Sequence, residues 1–280
     1  MTINNKTILI IQLVFVVTIS ISLILAGFFP TIELILTIAI VLLIWKSEYR
    51  NLLKDLLPFF VLLLTYQSLR GFAYELTPAE IHITDLIDYE KLLFSGVIPA
   101  AYFQELLTST SYSNTVYLIA SIFYMSHFVV PLVAAIGLWT MKHELYWPFI
   151  VGLLVLSYAA FLTYFFVPAA PPWWATKFGY LVDQPVTLPK EALPIAIGIA
   201  SPNPVAAIPS LHIAYPTYIV LFLAIFGDRR FLWGLLLPIV VGFSTVVLGH
   251  HYVIDLIIGI GYAVGIIFII YYLLKIRDMH

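Results

Sequence analysis

Long apolar runs follow one another along most of the chain, and they determine the secondary structure that the sequence predicts. They show neither the alternation of a half-buried strand nor the one-sided stripe of a surface helix, and about 18 apolar residues suffice for a membrane-spanning helix. We therefore expect an all-α, polytopic membrane helical bundle of about eight transmembrane helices. Their approximate bounds are 7–26, 31–45, 55–72, 115–139, 147–167, 209–226, 231–249 and 254–274.

The series of spans predicts a single integral membrane domain over residues 1–280, with a catalytic core at about 66–275. The second run is the weakest span, because it is short and carries Glu33. The first run resembles a signal peptide, but it shows no small-x-small cleavage site and further spans follow, so we expect it to be retained.

The composition supports a membrane protein and excludes several classes of function. Hydrophobic residues make up 62% of the chain and charged residues 10%, whereas a soluble domain carries about 25% charged residues. The net charge of −2 gives no reason to expect a nucleic-acid partner. The absence of cysteine excludes disulfides, thiolate catalysis and cysteine-ligated metal.

The distribution of Lys and Arg predicts the orientation of the chain. Cytoplasmic loops carry an excess of these residues, and with a cytoplasmic N-terminus most of the 13 lie inside. The ones outside are Arg70, Lys91, Lys177 and Lys190. We therefore expect both termini in the cytoplasm and an integral protein of the plasma or cytoplasmic membrane.

This topology leaves two long segments on the outer side. Residues 71–114 contain two stretches, 85–94 and 99–107, that are typical of short interfacial helices. Residues 168–208 are rich in proline, which removes backbone donors and stiffens turns. We expect an ordered cap of irregular backbone over that second segment.

Ionisable residues at the outer ends of the last three spans form a candidate site at the outer face. Ser210 and His212 lie at the mouth of the sixth span, and His250, His251 and Asp255 lie in the turn between the seventh and eighth. Such residues are costly in a membrane and are functional candidates by default. Because both groups lie on the same predicted side, they can meet.

The spacing of His251 and Asp255 singles out one histidine. Four residues apart near a helix start, the two side chains are within hydrogen-bonding reach. A carboxylate that accepts the proton of one imidazole nitrogen raises the basicity of the other, which makes a nucleophile. His250 has Ile254 at the corresponding position. His212 is then the candidate general acid for a leaving oxygen.

Other interpretations of these residues stay open. A histidine at a span end is often only interfacial, and a helical His-x-x-x-Asp pair is often a structural hydrogen bond. His212, His250, His251 and Asp255 also offer a ligand set for a metal ion. The conjunction of two clusters on one predicted face favours catalysis.

Two motifs resemble signatures of the type 2 phosphatidic acid phosphatase superfamily. Pro209-Ser-Leu-His212 is similar to its second signature, and His251-Tyr-Val-Ile-Asp255 to the end of its third. The resemblance implies a helical bundle without cofactor or metal, acting as a lipid phosphatase or phosphotransferase. It further implies that His251 forms a phosphohistidine with Asp255 as its partner, that His212 protonates the leaving group, and that the backbone at Ser210 and Leu211 holds the phosphoryl oxygens.

Where the chain departs from these signatures, it resembles one branch of the superfamily. That branch contains the fungal inositol phosphorylceramide synthases. Leu211 replaces the usual glycine, Thr245 replaces the usual arginine of the third signature, and the first signature is absent. Three further stretches resemble that branch, so that the resemblance extends from about Tyr66 to Asp255. These stretches are 66–71, 124–128 and 167–174.

Phosphoryl transfer requires fixed positive or polar partners for the phosphate. Arg70, at the outer end of the third span, is the best-placed cation, and Lys177 comes next. The competing interpretations are interfacial snorkelling for Arg70 and a solvated loop charge for Lys177. Ser210 and His250 complete the candidate phosphate-binding residues.

His127 is the candidate that lies deepest in the membrane. It lies about 18 Å from the outer end of the fourth span at helical rise, near the predicted midplane. It either lines a substrate cavity together with Tyr66 and Trp173, or hydrogen-bonds Ser126, Tyr124 or a neighbouring helix. Most of the aromatic residues are expected in an interfacial belt.

We therefore expect a phosphotransferase or phosphatase that acts on lipid phosphates or phospholipid head groups. The partners are a membrane lipid and either water or a lipid or polyol alcohol, and the missing family cations favour transfer of a phosphoinositol-type head group. A plain lipid-phosphate phosphatase and an intramembrane metalloenzyme are alternatives. A lipid or anion transporter is a third, although transporters place their charges near the midplane.

Overall fold

The computed structural model describes residues 55, 66, 69, 73–190 and 203–277 of the chain. All but residue 55 belong to a compact unit that spans Leu62–His280. Within these ranges the secondary structure is helical, with isolated β-bridges and no strand. The first two predicted spans and nearly all of the third lie outside the described residues, and the single-domain organisation stays a prediction.

The described part of the chain is a helical membrane bundle. Its α-helices are α1 Thr84–Leu93, α2 Pro99–Thr108, α3 Ser113–Met141, α4 His143–Phe166, α5 Pro172–Lys177, α6 Leu211–Phe222, α7 Leu236–Val247 and α8 Val253–Arg277. A π-helix, Leu223–Gly227, continues α6, and a 3₁₀-helix, Arg229–Leu235, leads into α7.

Four segments of the described residues are long and apolar enough to cross a membrane. They are α3, α4, the segment Arg229–Val247 that includes α7, and Val253–Lys275 of α8. A fifth, Leu211–Gly227, is apolar but shorter. These segments coincide with the last five predicted spans to within a few residues. The helical membrane fold is confirmed, and the total of about eight spans stays a prediction.

The short helices α1 and α2 occur where the sequence predicted them. Pro99 is the first residue of α2, where its fixed φ suits a helix start and its missing N–H has no partner to lose. After α1 the chain reverses through Ser95 and Gly96, both with positive φ. Their placement along the membrane surface stays a prediction.

Three extended segments join the cap to the bundle through backbone hydrogen bonds. Ala169 forms parallel bridges with His82 on one side and Ala206 on the other. The His82 N–H donates to the Pro168 carbonyl oxygen (2.8 Å), and the Ala169 N–H donates to Val205 (2.7 Å). The described parts of the predicted irregular cap are 168–190 and 203–208. The first part is thus hydrogen-bonded to the second, which leads directly into α6.

The ends of α6 and α8 approach each other closely at Gly259. A Cβ atom built on Gly259 lies 2.5 Å from the carbonyl oxygen of Ser210 and 2.7 Å from Ile213 Cγ2. Small residues permit such approaches between membrane helices, where packing replaces the hydrophobic effect as the driving force. Only glycine fits here without displacing the backbone that leads into α6.

We expect Gly259→Ala to destabilise the protein by about 1–3 kcal/mol, because the added methyl group overpacks the α6–α8 contact. The free energy of unfolding in detergent measures this. Gly261→Ala is the matched control, since a Cβ there meets nothing within 4 Å. Equal stability of the two variants would contradict the close approach.

Candidate active site

A tight turn ends α7, and two histidines follow that turn directly. Gly249 adopts a left-handed φ of 78°, its N–H donates to the Val246 carbonyl oxygen, and the His250 N–H donates to that of Thr245. This pair of bonds is a Schellman motif, which satisfies the last carbonyls of a helix and reverses the chain. His250 and His251 follow directly.

His251 and Asp255 contact each other at the start of α8. His251 Nδ1 lies 3.1 Å from Asp255 Oδ2, and that oxygen also accepts the Tyr252 N–H at 2.9 Å. The helix begins only at Val253, so His251 precedes it rather than stacking within it as the spacing argument assumed. The contact forms because Asp255, at the third helical position, reaches back towards the residues before the helix.

The imidazole of His212 completes a continuous series of hydrogen-bonding groups. His212 is the second residue of α6, and its Nδ1 lies 3.1 Å from His251 Nε2. If the Asp255 carboxylate accepts the Nδ1 proton of His251, then His251 Nε2 is the acceptor and His212 Nδ1–H the donor. The two histidine motifs, which are 39 residues apart in the chain, thus meet at one point.

Burial determines the charge state of His251. The residue is 4% exposed and Asp255 is fully buried. Desolvation disfavours the charged imidazolium and lowers the pKa of His251 well below its ordinary value. The ring is therefore neutral at physiological pH, which is the form that has a lone pair to donate.

Helix α3 supplies an aromatic wall against these histidines. The Tyr124 ring stacks on His212 with centroids 4.3 Å apart, and it packs against His250 at 4.8 Å. The sequence analysis named Tyr124 for the family resemblance and as a possible hydrogen-bond partner of His127, but it did not predict the place of Tyr124 in this wall. Its spacing of three residues from His127, on one helix face, was the available signal.

His127 lies beside His212 rather than apart from the other histidines. The two ring centroids are 3.9 Å apart, and His127 Nδ1 lies 2.6 Å from the Tyr124 carbonyl oxygen. Helix α3 has 29 residues, about 43 Å at helical rise, and near its start Tyr117 packs against Val247 and Leu248 at the end of α7. The depth of His127 in the membrane stays a prediction.

Ser210 is the N-cap residue of α6, yet its side chain does not cap the helix. Its N–H donates to the Asp255 carbonyl oxygen at 3.2 Å, so this N–H is engaged by α8 and is not directed at a phosphate. Its hydroxyl is buried and has no hydrogen-bond partner among the described residues. The hydroxyl is thus the part of Ser210 that remains a phosphate-binding candidate.

The remaining candidates lie at different distances from this cluster. The backbone N–H of Trp173 donates to the carbonyl oxygen of Gly249 at 3.3 Å, next to His250. Tyr66 is buried, with its ring edge-on to Tyr158 of α4 at 6.2 Å. Lys177 is exposed, with Nζ 5.5 Å from the centre of the Phe178 ring. Arg70 lies outside the described residues.

Metal coordination finds no geometric support in this arrangement. Within the described ranges, no group of three or more His, Asp or Glu side chains is placed to hold a metal ion. His251 uses Nδ1 on Asp255 and Nε2 on His212, so both nitrogens are already engaged by protein groups. The arrangement suits proton transfer between adjacent imidazoles.

Comparison with known proteins identifies the family of this site. The sequence profile of the PAP2 superfamily, the type 2 phosphatidic acid phosphatases, matches residues 84–269, which include the whole histidine cluster. The chain belongs to the PAP2 superfamily. It is also 30% identical over 250 residues to the phosphoinositol dihydroceramide synthase of Bacteroides thetaiotaomicron, a match that covers 81% of this chain and 80% of the relative. No solved structure matches the chain.

These matches confirm the predicted membership of the PAP2 superfamily and of its inositol phosphorylceramide synthase-like branch. The chain is therefore an enzyme of lipid metabolism that acts on lipid phosphates, a phosphotransferase or a phosphatase. Its apolar helices make it an integral membrane protein.

We expect Gly249→Ala to lower turnover of a lipid phosphate about tenfold or more. The substitution forces a side chain into left-handed backbone, at about 1–2 kcal/mol, and its Cβ lies 2.7 Å from Val186 Cγ1. The turn that carries His250 and His251 must therefore shift. The measurement is turnover per folded molecule.

Gly179→Ala is the matched control for Gly249→Ala. Gly179 has a similar φ of 81°, but a Cβ there meets nothing within 4 Å. It therefore carries the same backbone strain without the displacement of the turn. An equal loss of turnover in both variants would mean that backbone strain, and not displacement of the turn, lowers turnover.

Proposed function

We propose that this enzyme transfers a phosphorylated head group, of the phosphoinositol kind, from a phospholipid to a lipid alcohol through a phosphohistidine on His251. The observation that carries the proposal is the continuous contact Asp255–His251–His212, with separations of 3.1 Å at each step. The similarity to the phosphoinositol dihydroceramide synthase of Bacteroides thetaiotaomicron supports the choice of head group and acceptor class.

In the first step His251 Nε2 attacks the phosphorus atom of the donor phosphodiester. A P–N bond forms and the P–O bond to the departing lipid alcohol breaks, so the phosphorylated head group remains on His251. The leaving oxygen takes a proton from the imidazolium form of His212, which thereby becomes neutral; in this geometry the His212 Nδ1 faces the same nitrogen that attacks. Asp255 stabilises the imidazole by accepting its Nδ1 proton.

In the second step the acceptor alcohol reverses these roles. His212, now without the proton it gave away, removes the hydroxyl proton of the acceptor, whose oxygen attacks phosphorus. The new P–O bond forms as the P–N bond breaks, and His251 returns to its neutral form. One pair of histidines thus serves both half-reactions, and no proton is gained or lost overall.

The residues around the site favour a phosphodiester over a phosphomonoester. Thr245, where the family has an arginine, is buried, and its hydroxyl donates to the Gly242 carbonyl oxygen at 2.7 Å. A phosphodiester carries one negative charge and a phosphomonoester up to two, so the diester needs fewer cations for neutralisation. Ser210, His250, Arg70 and Lys177 remain the proposed phosphate-binding residues.

We expect His251→Ala to abolish turnover and Asp255→Asn to lower kcat about 10²–10⁴-fold, because an amide cannot stabilise the imidazolium that develops. Brief incubation with labelled donor should leave an acid-labile, base-stable adduct on the wild type and none on His251→Ala. His143→Ala, an exposed histidine at the start of α4, is the control. Full turnover by His251→Ala would remove this mechanism, and loss of turnover in EDTA would restore the metalloenzyme alternative.

We expect purified protein, given phosphatidylinositol and dihydroceramide, to form diacylglycerol and phosphoinositol dihydroceramide, detected by mass spectrometry. Without the acceptor, release of inositol phosphate should be much slower. Phosphatidic acid is the comparison substrate, and rapid release of inorganic phosphate from it without transfer would favour the plain phosphatase. Movement of unaltered lipid across liposomes would favour the transporter.

A further inference from the structure

Glu90 is a buried carboxylate that the proposed mechanism does not use. It lies on α1, outside the spanning helices, and is 1% exposed. Its Oε1 accepts the Val253 N–H at 2.8 Å, and its Oε2 accepts the Ile254 N–H at 3.2 Å. The partners are 163 and 164 residues away in the chain, at the first turn of α8.

The first turn of α8 lacks the residue that would normally cap it. The first N–H groups of a helix have no intrahelical acceptor, and an N-cap Ser, Thr, Asn or Asp usually supplies one. Tyr252 precedes α8 and cannot act in this way through its phenol. Asp255 accepts the Tyr252 N–H, which is one half of a capping box. Glu90, from a separate helix, accepts the N–H groups of Val253 and Ile254, which a capping box does not satisfy.

The carboxylates of Asp255 and Glu90 thus accept hydrogen bonds from three successive backbone N–H groups, those of residues 252, 253 and 254. The same Asp255 oxygen that holds Tyr252 also contacts His251 Nδ1. The orientation of His251 therefore depends on the backbone of this turn, and that backbone is held by Glu90. A shift of about 1 Å in a reacting group can cost about a hundredfold in rate.

We propose that Glu90 is a positioning residue, which caps α8 from α1 and so holds the His251–Asp255 pair in its reactive geometry. The proposal rests on the function proposed above, because it assumes that His251 is the nucleophile. Glu90 itself touches neither the reacting phosphorus nor the leaving group.

The surroundings of Glu90 support a specific role for its carboxylate. Burial raises the pKa of Glu90 to about 7, the nearby Asp255 carboxylate adds to this rise, and the two N–H groups oppose it. A buried acid next to a second acid is unfavourable unless its hydrogen bonds require it. An apolar residue would fill the same space but leave two buried N–H groups without acceptors.

The test compares kcat and KM of Glu90→Ala and Glu90→Gln in the full chain, with phosphatidylinositol as donor. We expect Glu90→Ala to lower kcat about tenfold or more and to change KM less than about twofold. Glu90→Gln should restore part of the loss, because its amide oxygen can accept one of the two N–H groups. Asp88→Asn, an exposed carboxylate on the same helix, should match the wild type.

A second measurement separates positioning from folding. The amount of adduct trapped on His251 counts the competent molecules, and its rate of formation reports on geometry. We expect Glu90→Ala to reach nearly the wild-type amount of adduct at a reduced rate. A wild-type rate, or a loss of turnover that only follows a reduced amount of adduct, would overturn the proposal.

The two proposals fail in distinguishable ways. If His251→Ala turns over normally, the proposed mechanism fails whatever Glu90 does. If His251→Ala is inactive and Glu90→Ala keeps the wild-type kcat, only the positioning role fails. Equal loss in Glu90→Gln and Glu90→Ala also overturns it, since the amide retains one acceptor.

Discussion

The close contact between the starts of α6 and α8 is the constraint on which the rest of the site depends. The Ser210 N–H reaches the Asp255 carbonyl oxygen, and Gly259 allows the two backbones to come this near. His212 follows Ser210 by two residues, and His251 precedes Asp255 by four. Backbone contacts set the separation between the starts of α6 and α8. The short side chains of His212 and His251 can therefore reach each other. Each histidine alone is an ordinary polar residue at a helix end, and their juxtaposition gives the pair its chemistry.

Several surrounding groups hold the turn between α7 and α8 through buried hydrogen bonds. The Schellman motif at Gly249 ends α7, Gln104 of α2 donates to the carbonyl oxygens of Thr187 and Val247, and Glu90 caps α8. Buried polar groups are costly unless they are hydrogen-bonded, and here the bonds of Gln104 and Glu90 join segments that are distant in the chain. The short helices α1 and α2 therefore belong to the site's framework, although they contribute none of the groups that are proposed to react.

Local patterns in the sequence predicted a large part of this arrangement. Apolar runs marked the five described membrane segments, and the four-residue spacing selected His251 over His250. The sequence could not indicate that Glu90 supplies an acceptor to the first turn of α8 from 163 residues away, since Tyr252 offers no cap signal and Glu90 lies on a separate helix. The contact of His127 with His212 was not predicted, and the depth of His127 in the membrane stays a prediction. Contacts between residues far apart in the chain produce no hydrophobic periodicity, so a single sequence does not reveal them.

The hydrogen bond between the two imidazoles has a consequence for reactivity. His251 Nε2 lies 3.1 Å from His212 Nδ1, so in the proposed mechanism an incoming phosphorus atom has to take the place of the proton between them. A weakly bound electrophile or a stray metal ion meets a nitrogen that is already shielded. In the proposed mechanism the lipid substrate must open this bond before its phosphorus atom reaches the nitrogen. Selectivity would then come from the order of events, since the proposed nucleophile is exposed only after the substrate has bound.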